Sequence, residues 1–122
     1  MTTAGVALNG GAVAPDELRK KSQMPRHTEN MRALREILTA LTRETAWPQK
    51  NAISQNIDIA LSYVEWTPAL GAAATDTAAR CFEVLKIVSR ASSDEEKRAN
   101  AIQDGLASID ELERGLDAAT PV

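Results

Sequence analysis

The chain has 122 residues, 43 % of them apolar, with a single cysteine and a formal net charge of -3. That length supplies one domain's worth of core, and one cysteine, Cys81, excludes an intramolecular disulfide and any cysteine-built metal cage, which fits a reducing compartment. With only four aromatic residues, Trp47, Tyr63, Trp66 and Phe82, the core has to come from Leu, Ile, Val and many alanines, a composition that favours closely approaching helices.

The first fourteen residues, MTTAGVALNGGAVA, lack a basic n-region, and Asn9, Gly10 and Gly11 interrupt their apolar residues, so no cleavable secretory signal is expected there. Their glycines leave little to bury and much backbone entropy to lose, which predicts a disordered tail over residues 1–14. Pro15 suits the first turn of a short helix, PDELRKKS, ended before Pro25. From Arg26 to Ala46 the residues Met31, Leu34, Ile37, Leu38 and Leu41 recur at steps of three and four, with Arg32, Arg35, Glu36 and Arg43 on the other side. This spacing predicts an amphipathic helix, stopped at Trp47-Pro48.

The next segment, WPQKNAISQNIDIALSYVEWTP, reads as a helix with two offset apolar stripes. Ile53, Ile57, Ala60, Leu61 and Val64 form one; Ala52, Ile59, Tyr63 and Trp66 form the other. More than half of its circumference is apolar, so it is expected to be the most buried helix, covered from two directions either at the centre of a bundle or by a partner chain. Trp47 and Trp66, nineteen residues apart and so about 28 Å along a helix, would clamp the two ends of the bundle.

Thr67 is placed to cap a long helix that opens on Pro68 and runs to about Ala91, with small residues in the first half of its stripe and larger aliphatics in the second; Gly71 and the alternative caps Thr75 and Asp76 leave a later start open. Ser93 with Glu96 makes a capping box for the last helix, whose stripe Ala99, Ile102, Leu106, Ile109, Leu112, Leu116 is narrow and ends near Asp117. The expected fold is all-α: an antiparallel bundle of four principal helices plus a short N-terminal one, a single domain over residues 15–118. Short turns force sequential neighbours to run antiparallel.

Chemistry-bearing constellations are sparse. His27, the only histidine, forms a row with Met24 and Met31 that Pro25 interrupts; it reads as a half-exposed imidazole at a helix entrance between core methionines. A di-iron carboxylate centre needs two Glu-x-x-His motifs, and there are none. Cys81 lies in an apolar stripe, where a thiol behaves as a small hydrophobe. The acidic clusters at residues 94–96 and 110–113 read as a helix start and a solvated face. No phosphate loop, dinucleotide fingerprint or zinc spacing occurs, so no enzyme activity, cofactor or metal is expected.

Charge is uneven along the chain, with eight Lys/Arg against five Asp/Glu in residues 1–50 and six against twelve in the rest. Arg19, Lys20, Lys21, Arg26, Arg32, Arg35 and Arg43 could meet phosphates, which makes a DNA-binding transcriptional regulator the alternative reading. Glu29, Glu36 and Glu44 interleave with those arginines at helix-pairing distance, and the sequence pI near 5.2 is far from basic. The preferred reading is a non-enzymatic helical interaction protein, a small regulator, inhibitor or adaptor of bacterial or mobile-element type. It would be cytoplasmic and homodimeric, with no membrane partner, and would bind another protein through a helix face. Candidate interface residues are Trp47, Asn56, Ile59, Tyr63, Trp66 and Leu112, with Asn56 as a register-setting polar residue of the dimer.

Overall fold

Leucines and a methionine at helical spacing carry the first helix, α1 (His27–Thr39), in which Met31, Leu34 and Leu38 are fully buried. The structure is a computed structural model that describes residues 25–90 and 93–122. The expected tail at 1–14 and the short helix opening on Pro15 lie outside them. Three further α-helices follow, α2 (Lys50–Leu61), α3 (Pro68–Ser89) and α4 (Glu95–Ala118), with a single 3-10 turn at Trp47–Gln49 leading into α2. Each helix packs on the next, and α4 returns to α1, so the four form a closed antiparallel ring around one core. The α3–α4 seam is the most extensive and the α2–α3 seam the thinnest.

α1 stops seven residues short of the expected Ala46. The reason lies in its threonines, whose hydroxyls compete with the backbone ladder. Thr39 Oγ1 donates to the Arg35 carbonyl at 2.9 Å, and the N–H groups of Thr42 and Thr45 donate to each other's side-chain oxygen at 2.9 and 3.2 Å, closing a turn instead of another helical repeat. That turn tucks Ala46 into the core, fully buried.

α2 is likewise shorter than its apolar pattern, because the backbone beyond it is taken by the end of the chain. Glu65 N–H donates to the Thr120 carbonyl at 2.7 Å and Val122 N–H to the Tyr63 carbonyl at 3.1 Å, an isolated antiparallel bridge around Val64 and Pro121. The expectation that this is the most buried helix is overturned. Only Ile53, Ile57 and Ala60 are buried on α2, against seven residues of α3, so α3 is the embedded element. The second stripe is only part-covered, by α1: Asn30 Nδ2 donates to Asn56 Oδ1 at 2.9 Å, and the Arg26 guanidinium stacks 4.2 Å from the centroid of the Tyr63 ring.

α3 begins as its sequence dictates. Thr67 is extended, its hydroxyl accepts from Leu70 N–H at 3.1 Å, and Pro68 occupies a position where a missing N–H costs nothing. α4 is capped by Asp94 rather than Ser93. The Asp94 carboxylate accepts from Lys97 N–H at 2.7 Å, while Ser93 gives its carbonyl to the Arg98 guanidinium at 2.6 Å. A carboxylate at the positive end of the helix dipole is the stronger acceptor of the two. On the inner side of the α3–α4 seam, Thr77 Oγ1 lies within reach of the Ala73 and Ser108 carbonyls at 2.8 and 3.1 Å, and Gly105 lets α1 and α3 approach α4 closely.

Candidate functional site

The thin α2–α3 seam leaves an open groove of about 960 Å³ between the two helices. Its floor is Ile57, Leu61, Ala74 and Ala78, and its α3 wall is built of small residues: Gly71, Ala72, Thr75 and Ala79. Small side chains bring little bulk across to α2, so the helices stay apart above their buried contacts and a shallow apolar trough remains. Trp66 closes one end. Its indole packs on α3 at Gly71, so close that a Cβ there would stand 2.8 Å from the ring. Phe82 and Ser54 lie at the other end, where the Lys50 ammonium sits 5.7 Å from the Phe82 ring centroid and 5.8 Å from that of Trp47. The two tryptophans therefore stand at opposite ends of the groove.

They do not clamp the core as the sequence suggests. Trp47 is 51 % and Trp66 63 % exposed, which places their apolar area in solvent. A lone exposed apolar residue is ordinary, but large rings at both ends of a continuous apolar trough form a patch of the kind that recognises another macromolecule.

The other candidate interface residues fall elsewhere. Ile59, 44 % exposed, points outward from α2 and does not line the groove. Tyr63 is half-buried beneath Arg26. Asn56 is half-buried, and besides accepting from Asn30 it donates to the Ala52 carbonyl at 2.8 Å, so its amide sets the register of α1 on α2 within one chain. Leu112 is fully buried in the core and offers nothing to a partner, because α4 turns Ile109, Leu112 and Leu116 of this stripe into the core, while Ala99 at its start stays exposed. Sequence reasoning missed Phe82, Gly71 and the alanine wall; the run of small residues in α3 was visible, but only the splay of α2 makes it a surface.

Of the basic residues, Arg19, Lys20 and Lys21 lie outside the described residues. Arg32 is engaged by Glu29 and Glu36, its charged form held further up by both carboxylates, and Arg35 reaches across to Asp110 at 2.8 Å and to Glu113. Glu113, in line with Ile109 and Leu116, is thereby a partner of α1. A phosphate would have to displace these carboxylates. Arg43 joins Arg90 and Arg98 in a smaller open pocket of about 530 Å³, in which Glu44 and Glu95 offset the cations.

His27 and Cys81 are the described residues with the side chains best suited to catalysis or metal binding, and each is taken up by the fold. His27 is buried, not half-exposed as expected, and its Nε2 donates to Asp117 Oδ1 at 2.7 Å, tying the start of α1 to the end of α4. Burial in apolar surroundings pushes the Cys81 thiol up to about 12, which removes it as a nucleophile near neutral pH. Among the described residues no group of three or more His, Cys, Asp or Glu is placed to hold a metal ion, and no helix is long and apolar enough to cross a membrane. No family model matches the sequence, and no curated protein or solved structure matches it either.

Proposed function

We propose that this chain is a non-enzymatic helical interaction protein, a small regulator, inhibitor or adaptor that binds another polypeptide through the α2–α3 face. The observation that carries the reading is the apolar groove between α2 and α3, closed at one end by the exposed Trp66, with the exposed Trp47 lying beyond its Phe82 end across Lys50. Interface cores favour aromatic anchors beside depressions that take a partner's side chains, with few charges at the centre. The groove provides these features, with Asp58 and Asp76 the two charged residues among those that line it. Small residues on the α3 wall let a partner backbone come close. The engaged state of Arg32 and Arg35 weighs against the DNA-binding alternative, since each guanidinium already has two carboxylate partners.

The test is affinity capture from lysate of the native host, with and without nuclease, using the tagged full chain and its Ala79→Arg variant. Ala79 is exposed on the groove wall, so arginine there obstructs the trough without entering the core. A nuclease-resistant protein captured by the wild type and lost with Ala79→Arg is the expected result. Capture of nucleic acid, or of protein partners indifferent to Ala79→Arg, would refute the assignment of function to this face.

A further inference from the structure

Most polar and charged clusters of the described chain are consumed internally. His27 is held by Asp117, Asn30 and Asn56 hold each other, and Arg35 and Arg80 are spent on carboxylates of α3 and α4. Besides the mixed pocket of Arg43, Glu44, Arg90 and Glu95, the α2–α3 face carries charges that are not spent in this way. Lys50 stands at its Phe82 end, and Asp58 and Glu65 lie toward its Trp66 end. None of the three forms an ion pair among the described residues.

From this arrangement, which rests on the α2–α3 face being a protein-binding surface, we infer that its occupant is a second copy of the same chain, docked antiparallel about a two-fold axis that crosses the middle of α2. A two-fold contact requires a surface that is complementary to itself after a half-turn. The half-turn brings the cationic Lys50 end of one protomer over the anionic Asp58 and Glu65 end of its partner, and the reverse. A parallel arrangement would instead set Lys50 against its own copy and the carboxylates against theirs. The same half-turn brings Trp66 of one copy to the Trp47 and Phe82 end of the other.

The area available is consistent with this. A tryptophan presents up to about 250 Å², so at 51 % and 63 % exposure the two indoles together offer roughly 280 Å². That is about a third of the ~800 Å² per partner that a standard interface takes. The exposed lining of the groove adds to this but leaves the sum below a standard interface, so the contact is a weak and reversible one. The arrangement also relocates the self-association surface: Asn56 and Ile59, which the sequence nominates, do not line the groove, whereas Lys50, Asp58, Trp66 and Ala79 border it or line it.

The experiment is sedimentation velocity of the full chain over a wide concentration range, with Ala79→Arg, Lys50→Glu, Asp58→Lys and the double variant Lys50→Glu/Asp58→Lys. Circular dichroism confirms that each retains its helices. The wild type is expected to show a reversible monomer–dimer equilibrium that Ala79→Arg abolishes. Each single charge reversal should weaken it by at least roughly tenfold, and the double variant should recover most of that loss. A wild type that is monomeric throughout overturns the inference, as does a dimer indifferent to Ala79→Arg and Lys50→Glu. Growth to open oligomers overturns the two-fold arrangement, and so does a double variant no better than the singles. A monomer that still captures an Ala79-dependent partner removes the second copy and leaves the protein-binding reading in place. A dimer disrupted by Ala79→Arg, with no such partner in lysate, upholds the second copy and limits protein binding by this face to self-association.

Discussion

One substitution, glycine to alanine, should have opposite signs at two positions of α4. In a helix interior alanine is favoured over glycine by about 1 kcal/mol. At Gly115 a Cβ would stand 3.4 Å from Leu70 Cδ2, an ordinary contact, so Gly115→Ala should keep most of that gain and stabilise the fold by about 0.5–1 kcal/mol. At Gly105 the same atom would stand 2.8 Å from Leu38 Cδ1 and 3.1 Å from Val84 Cγ2. Carbon atoms prefer roughly 3.5–4.0 Å, so both neighbours must retreat, and both are buried with nowhere to go. Overpacking of this kind costs about 1–3 kcal/mol. Set against the propensity gain, Gly105→Ala should come out destabilised by about 1 kcal/mol. The two variants should therefore differ by about 1.5–2 kcal/mol, or about 6–8 °C in thermal midpoint for a chain of this size. Urea denaturation followed by circular dichroism measures both, with the slope checked for constancy so that midpoints compare directly. A Gly105→Ala protein as stable as Gly115→Ala would show that the junction of α1, α3 and α4 is looser than described, and the packing argument would fail.

Other outcomes follow from single contacts. Asp117→Ala leaves the buried His27 Nε2 without its acceptor and should cost about 1–3 kcal/mol in chemical denaturation; an unchanged midpoint would mean that water takes over the role. Single and double alanine variants of Asn30 and Asn56 should give a coupling energy of about 0.5–1.5 kcal/mol in a double-mutant cycle, and strictly additive effects would deny that their amides bind each other. Native protein at pH 8 should leave Cys81 unlabelled by a thiol reagent until denaturant is added. Because burial lifts this thiol from the ordinary 9.0 to about 12, the folded state holds its proton where the unfolded state has lost it, so stability should fall as pH rises between those values. Thr67→Ala removes the acceptor for Leu70 N–H and should cost about 1 kcal/mol, whereas Thr67→Ser should recover most of it.

The helices were legible wherever periodicity and capping agreed. Of the possible starts of α3, Thr67-Pro68 is the one used rather than the later caps Thr75 and Asp76, and the Leu70 to Val88 stripe is the one the core uses. Reading failed where partners distant in sequence decided the outcome. Nothing local to Val64 says that residues 120–122 will take its neighbours' backbone groups and end α2 early. The same blindness misjudged Asn56, whose partner Asn30 sits on another helix, and Leu112, which period alone could not assign to core or surface. The groove was the least legible feature, since it depends on how far α2 stands from α3. That distance belongs to packing, not to either helix's own sequence.

Tyr63 gathers both ends of the described chain. Arg26 lies on its ring and Val122 N–H donates to its carbonyl, while His27 and Asp117 join nearby. Because both ends of the described chain meet at this residue, the order in which the chain visits the helices is separable from the fold itself. A circular permutant that joins residue 122 to residue 25 by a short linker, and opens the chain in the turn at residues 40–46, retains every helix and every seam. The original connection between α1 and α2 would then be replaceable without loss of architecture.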